Sequence, residues 1–393
     1  MNNPVICSVA RTPIGRFNGQ FAPLTAMDLG GIAMRGALER ANLAPQDVDE
    51  VIFGHVLQAG QGQITSRQAA VKAGIPMTVP SVTINKVCLS GLTAIQEAAN
   101  HVRLGESKFI VAGGMESMTN APYVLPGARA GYRMGDKTVV DIMTHDGLYC
   151  AFDSCMMGDT SDTRNDELGV TRDEQDEWAA RSHERAAAAT DSGAFADEIV
   201  VAEVPQRRGD PVPFDTDEGI RRETTLDSLA KLRPAFHADG TITAGNASQI
   251  SDGAAAVIVA DRAAAEAAGL PIIAEILSYG QIAGPDATLH ERPADAMKVA
   301  LKRAELDASD LDLFEINEAF ASVALWSSKM LGVDPDRVNI HGGAVALGHP
   351  LGATGARIVV SLVNALAQTG GTLGGAALCG GGGQGDALIV KMV

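Results

Sequence analysis

The chain has 393 residues, 46% of them hydrophobic, a formal net charge of −17 and a pI near 4.8. That length allows a large core and two or three domains, while so acidic a surface would repel phosphate backbones and excludes nucleic acid as an expected partner. Five scattered cysteines (Cys7, Cys88, Cys150, Cys155, Cys379) without C-x-x-C spacing disfavour a disulfide framework and a structural zinc site, so free thiols are expected. The N-terminal Met-Asn-Asn-Pro-Val-Ile-Cys lacks a basic region followed by an apolar run, and no stretch reaches the roughly 18 consecutive apolar residues of a membrane helix. A cytoplasmic protein without membrane contact is expected.

In chain order, Val5 to Val9 reads as a strand, Thr25 to Asn42 as a helix and Val51 to Val56 as a second strand, an α/β pattern. Val79 to Ile84 is rich in β-branched residues. Leu92 to Leu104 carries Leu92, Ile95, Ala98, Ala99 and Val102 at helical spacing before Gly105 ends it. Cys88 therefore falls where a strand turns into a helix. The unpaired N–H groups and positive dipole end of that helix predict a lowered thiol pKa, and the thiolate is the reactive form. The alternative is one more buried, inert cysteine. Phe109 to Met115 then reads as a strand ending in small residues.

From Asn120 to Asn246 the pattern breaks into proline, glycine and dense charge, read as an inserted excursion. It holds one clear helix, opened by a capping box at Thr171 to Glu174 and running through Trp178 to Ala189 before Gly193. The strand Ala254 to Ala260 returns to the first core. The second half then repeats the first. Ala37 to Ala41 has its counterpart in Ala300 to Ala304, and Asp47 to Asp49 in Asp310 to Asp312, at one offset of 263 residues. Ser90-Gly91 and its helix align with Thr354-Gly355 and the helix Ala356 to Gln368. Each helix leads to a strand, Phe109 to Met115 in one half and Gly375 to Gly383 in the other. Two similar α/β halves would pack together, and a site at their junction could take a reactive group from each.

Three second-half stretches combine reactive side chains with unusual glycine. Asn317-Glu318-Ala319-Phe320 follows the strand Leu313 to Ile316, although Glu318 could simply favour the next helix N-terminus. Gly348-His349-Pro350-Leu351-Gly352-Ala353-Thr354-Gly355 reads as a glycine-punctuated loop ahead of a helix. It lacks the phosphate-loop lysine, and Pro350 would aim the imidazole for acid–base work. Cys379-Gly380-Gly381-Gly382-Gly383-Gln384-Gly385 sets a cysteine at a strand end before four glycines, which implies special backbone angles or N–H groups aimed at a ligand. A flexible linker is excluded because Asp386 to Met392 resumes as a strand.

Together these stretches, with Gly113-Gly-Met-Glu-Ser117, Leu232-Arg-Pro-Ala-Phe236 and Gly245-Asn-Ala-Ser248, resemble the thiolase family over essentially the whole chain, and specifically its acetyl-CoA acetyltransferases. The resemblance implies a five-layered α-β-α-β-α fold, with residues 1–119 and 247–270 as one half, 271–393 as the other, and 120–246 as a loop domain holding coenzyme A. It also implies a homotetramer, acyl-CoA substrates and no metal or prosthetic group.

By resemblance, Cys88 is the acylated nucleophile, His349 its activating base and Cys379 the acid/base at the α-carbon of the second substrate. Asn317, through a water, and His349 resemble one oxyanion hole; the N–H groups of Cys88 and Gly381 resemble another. Ser248 matches a residue beside the pantetheine arm, and Arg221 one near the adenine. Leu148, Met157, Phe236 and Phe320 match further coenzyme A contacts. A polyanion meeting an acidic protein needs local positive charge, and Arg207, Arg208, Arg221, Arg222, Lys231 and Arg233 offer it unless they form only a solvated face.

The chain departs from the family at Met156, where many short-chain biosynthetic members carry histidine, and at Asp162-Thr163 in place of Glu-Asn. Subgroup and acyl-chain preference are thereby left open, with a longer-chain degradative thiolase as the alternative. A decarboxylating β-ketoacyl synthase would ordinarily replace Cys379 with histidine. A cysteine hydrolase would leave Cys379 idle, and a non-catalytic acyl-CoA-binding protein would need neither cysteine.

Overall fold

The computed structural model describes residues 2–393. The first half runs β1 (Pro4–Arg11), α1 (Ala26–Ala41), β2 (Glu50–Gly54), α2 (Thr65–Lys72), β3 (Ser81–Ile84), α3 (Ser90–Leu104) and β4 (Phe109–Ser117). An excursion carrying α4 (Met157–Leu168) and α5 (Arg172–Ser192) precedes β5 (Ser251–Asp261). The second half runs β6 (Ala274–Ala283), α6 (Arg292–Ala304), β7 (Leu313–Ile316), α7 (Ala321–Leu331), α8 (Leu351–Thr369), β8 (Leu373–Gly380) and β9 (Gln384–Met392).

Local chemistry sets these boundaries. Thr25 and Asp28 form a reciprocal capping box that starts α1, and Asn42, at φ +54°, ends it in the left-handed conformation. Thr171 and Glu174 do the same for α5, which Gly193 terminates. The strand expected to reach Gly383 stops at Gly380 because Gly382 and Gly383, at φ +78° and +68°, form the turn into β9. The helices expected from Leu92 and Ala356 begin earlier, at Ser90 and Leu351, so the end of the His349 loop is already helical.

The main strands form one mixed sheet path, β7-β8-β9-β6-β1-β5-β4-β2-β3. Its two halves join where Val5 and Ile6 of β1 pair with Glu275 and Ala274 of β6. Alternation along the central strands builds the layers. In β5, Ala254, Ala256 and Ile258 face a core shared with α1, while Ala255, Val257 and Val259 face a second core shared with α3 and α8. In β9, Leu388 and Val390 join that same central core, whereas Ala387 and Ile389 face a third one beneath α6. Helices thus cover both outer faces and fill the middle, giving the expected α-β-α-β-α layering. Helix α8 is apolar and long enough to span a membrane by composition, but it is packed in this central layer.

The repeat extends to single hydrogen bonds. Ser8 Oγ donates to Ala37 O at 2.6 Å, and Ser278 Oγ to Ala300 O at 2.8 Å, each just past a bulge in the first strand of its half. Asp49 accepts from the N–H groups of Lys108 and Phe109, as Asp312 does from Thr372 and Leu373. The excursion is pinned to β1 through buried Arg11, which donates to Glu198 at 2.6 Å and to both oxygens of Asp217 at 2.7 and 2.9 Å. Such a bidentate pair fixes geometry as well as charge.

Candidate active site

Between β3 and α3 the chain makes a turn that its own polar groups hold. Asn85 Oδ1 accepts from Val87 N at 3.1 Å; Ser90 Oγ accepts from Lys86 N at 2.8 Å and donates to Val87 O at 2.6 Å. These bonds keep Val87 at φ +50°, a conformation that costs a β-branched residue about 1–3 kcal/mol and is retained only where surroundings enforce it. The next residue is Cys88. Lys86 Nζ reaches Asp386 Oδ1 of β9 at 2.7 Å, and Thr93 Oγ1 donates to Asp386 Oδ2 at 2.6 Å, so the turn is fastened to the opposite half.

The backbone N–H groups of Cys88 and Gly381 lie near the Cys88 sulfur, and both favour its anion. Even so, burial pushes its thiol up to about 12, the reverse of the lowering that the helix-dipole argument predicts. The physical reason is desolvation: Cys88 is only 4% exposed, and taking an anion out of water outweighs the two N–H groups that favour it. The resting group is a neutral thiol.

His349 precedes α8, its N–H donating to Gln249 O at 3.0 Å. Its Nδ1 lies 2.7 Å from Thr354 Oγ1, whose single hydroxyl proton is directed at Pro350 O, 2.9 Å away. Assigning that hydroxyl proton to Pro350 O places the ring proton on Nδ1 and leaves a lone pair on Nε2. Nε2 has no hydrogen-bond partner among the described residues. Burial, and then the Arg357 charge, depress the imidazole pKa to about 3, so His349 is neutral and competent to accept a proton.

Cys379 lies one residue before the end of β8, and burial, together with its nearness to Cys88, raises its thiol pKa. The turn after it delivers the Gly381 N–H to Cys88. Asn317, just past β7, is fully buried, and neither atom of its carboxamide has a partner among the described residues. Glu318 does not cap the helix that follows it, Ala321–Leu331, but reaches the first turn of the short helix Ala344–Leu347. Its buried carboxylate accepts from Trp178 Nε1, Ser182 Oγ, Asn339 Nδ2 and Val345 N, and so ties the excursion to the second half.

Cys88, His349, Cys379 and Gly381 share one largely apolar cavity of about 320 Å³. Of the residues expected to touch coenzyme A, Leu148, Met157, Phe236, Ser248 and Phe320 line it, with Met156 beside them. Phe236 and Phe320 meet edge to face, with ring centroids 6.0 Å apart. Asn317 lies behind the lining rather than in it. Arg221 also falls outside; its side chain is exposed and its N–H donates to His183 Nδ1 at 3.1 Å.

Sequence reasoning passed over Gly158, whose absent side chain makes room for the Phe236 ring, and Leu289 and Ala247 in the wall. It also gave no role to Thr354, which fixes the His349 tautomer. A hydroxyl five residues after a histidine at a helix start was the available signal.

A soft nucleophile, a neutral imidazole, a second thiol and aimed backbone N–H groups, all inside a duplicated α/β fold, define an acyl-transfer class of protein. The thiolase N-terminal domain model matches residues 4–263 and the thiolase C-terminal domain model residues 270–392. The chain belongs to the thiolase family. It is 54% identical to a probable acetyl-CoA acetyltransferase of Mycolicibacterium smegmatis over 98% of this chain and 100% of that one. It is 49% identical to the acetyl-CoA acetyltransferase of Cupriavidus necator, with 100% of both chains covered. The crystal structure of the Bacillus anthracis acetyl-CoA acetyltransferase superposes with a TM-score of 0.97 at 40% identity, covering 100% of this chain and 99% of that one.

Proposed function

We propose that the protein is an acyltransferase that condenses two acetyl-CoA reversibly to acetoacetyl-CoA and coenzyme A through an acetyl-Cys88 intermediate. The observation that carries this is the shared apolar cavity of Cys88, His349 and Cys379. His349 Nε2 takes the Cys88 proton as the sulfur attacks the thioester carbonyl, so that thiolate and imidazolium form together and stabilise each other. The N–H groups of Cys88 and Gly381 receive the developing oxyanion, and coenzyme A leaves as its thiolate, which takes the proton of the Cys379 thiol while His349 keeps the Cys88 proton on Nε2. In the second half-reaction the Cys379 thiolate left by that transfer removes a proton from the α-carbon of the next acetyl-CoA. Its enolate oxygen is held by His349 Nε2–H and, through a water, by Asn317. Attack on the acetyl-cysteine forms the carbon–carbon bond. Thiolysis is the reverse.

In this reading residues 120–246 hold coenzyme A. Leu148, Met157, Phe236 and Phe320 flank the thioester arm, Ser248 lies beside the pantetheine, and Arg221, exposed near the other basic residues, meets the adenine end. The resemblance supports a cytoplasmic homotetramer. Tyr123 (64% exposed), Leu125 (51%) and Met134 (92%) leave large apolar side chains exposed on the excursion, which association of subunits would cover.

Incubation with acetyl-CoA alone should add one acetyl group to the peptide holding Cys88, and Cys88→Ala should acquire none; a variant with near-normal turnover would remove Cys88 from this role. Short acyl groups are the expected substrates, in keeping with the acetyl-CoA acetyltransferases the chain resembles and with the bulky Met156, Met157, Phe236 and Phe320 in the cavity wall. Thiolysis rates should fall from acetoacetyl-CoA to 3-ketooctanoyl-CoA, and the opposite order would favour the longer-chain degradative reading.

A further inference from the structure

Outside the cavity that joins Cys88 and Cys379, the fold brings a second pair of thiols together. Cys150 and Cys155 stand directly opposite each other in the short antiparallel hairpin Tyr149–Cys150 and Cys155–Met156, closed by Ser154 N donating to Cys150 O at 2.9 Å. Directly opposed residues project from the same face, with Cα atoms about 4.5–5.5 Å apart. That lies inside the range of about 4.4–6.8 Å that a disulfide spans. Both cysteines are free.

Their sulfurs touch one polar relay. Cys150 Sγ lies 3.6 Å from Asp153 Oδ2, that oxygen accepts from Thr160 Oγ1 at 3.2 Å, and Thr160 Oγ1 lies 3.3 Å from Cys155 Sγ. The two differ in access. Cys150 is buried, whereas Cys155 is part-exposed and lines an open cleft of about 520 Å³ with Asp153, Asp159, Thr160 and Arg164. The hairpin is also bracketed by Leu148, Met156 and Met157, all three in the wall of the Cys88 cavity.

We propose that Cys150 and Cys155 form a dithiol site that hydroperoxides oxidise to an intramolecular disulfide, and that this bridge fixes the cavity wall. The Cys155 sulfur attacks one oxygen of hydrogen peroxide; the O–O bond breaks, water leaves, and Cys155 becomes a sulfenic acid. The Cys150 thiol then attacks that sulfur. The S–S bond forms, the S–O bond breaks, and the second water leaves with the remaining protons. Two thiols lose two electrons and two protons, and one peroxide becomes two waters. The exposed cysteine reacts first and the buried one resolves it.

The test treats the full-length protein with hydrogen peroxide, alkylates the remaining thiols and maps the peptides by mass spectrometry. A Cys150–Cys155 linkage reversed by dithiothreitol is expected, distinct from any product at Cys88 or Cys379. In Cys150→Ser, Cys155 should instead stop as a sulfenic acid that dimedone traps. Full alkylation of both cysteines after peroxide treatment would overturn the proposal.

The effect on the wall is read in a Cys88→Ala, Cys379→Ala background with desulfo-CoA, which cannot reduce the bridge, and this arm rests on the acyl-CoA reading. Oxidised and reduced forms should differ in affinity by about fivefold or more, as coupled sites do. Equal affinities with the disulfide mapped would remove the coupling. Failure of either form to bind would count against the acyl-CoA reading and leave the mapping as the test of the dithiol.

Discussion

Cys88 and Cys379 share a cavity and a raised thiol pKa, yet their surroundings suit them to different work. The Cys88 sulfur already has two backbone N–H groups near it, which favour it as an anion and as the site of a tetrahedral intermediate. Cys379 is held one residue before the end of a strand, with only its own N–H for support. On the proposed mechanism Cys379 forms no bond to carbon and only moves protons, and coenzyme A can leave as its thiolate without it, so its replacement should not block the first half-reaction. Cys379→Ser should therefore still accept acetyl from acetyl-CoA, release a stoichiometric burst of coenzyme A in rapid quench, and make little acetoacetyl-CoA. The serine hydroxyl is a far weaker acid near neutral pH, and a missing general base typically costs about 10²–10⁴-fold. Loss of acetylation at Cys88, or intact condensation, would contradict this division.

Among the elements, the crossing of α3 and α8 decides how closely the two halves meet. The motif pairing of Gly91 with Gly355 has a physical meaning there. A Cβ on Gly91 would lie 2.8 Å from Ala356 N, and one on Gly355 would lie 2.9 Å from Leu92 Cβ and overlap the Leu92 nitrogen. The helices approach backbone to backbone only because both residues lack side chains. Cys88 lies just before one helix and His349 just before the other, so the spacing of the helices sets the spacing of the reacting pair. Gly355→Ala should push the helices apart at a cost of about 1–3 kcal/mol, typical of overpacking a dense core, and slow Cys88 alkylation by iodoacetamide. Urea denaturation checks the first effect. A variant as stable and as reactive as its parent would show that the crossing does not position the pair.

For the whole molecule, the buried histidines tie stability to pH. His183 and His290 are depressed by burial to about 4, and His349 to about 3, so all three fold as neutral rings. In the unfolded chain each takes up a proton near pH 6.5. Between about pH 6.5 and 4 the unfolded state thus binds more protons, and the stability these rings contribute is present above that window and lost as pH falls through it. Burial raises Glu315 to about 8, which acts in the opposite sense: its contribution is present at low pH and lost as pH rises through 8. Single variants isolate the sign. In His290→Gln, whose side chain can still reach Asn165, the fall in unfolding free energy from pH 6.5 to 4.5 should be shallower than in the parent. The difference is at most about 1.4 kcal/mol per pH unit for one proton. An unchanged slope would mean that His290 is protonated in the fold.

Local chemistry made much of this legible in the chain itself. Thr25 with Asp28, Thr171 with Glu174, Asn42 and Gly193 start or stop helices through contacts only a few residues apart, so the sequence alone marks those ends. The offset of 263 residues disclosed the duplicated halves, and the strings around Cys88, His349 and Cys379 marked three residues that the fold brings into one cavity. Tertiary structure decided what depends on distant partners. The thiol pKa of Cys88 turned on burial rather than on the nearby helix, because desolvation is set by every element that covers the sulfur. Glu318 became a hub for Trp178, Ser182 and Asn339, from 21 to 140 residues away, and the Cys150–Cys155 pairing required the hairpin register. Spacing along a chain encodes helix faces and caps directly, whereas dielectric surroundings and cross-chain contacts exist only once the layers have closed.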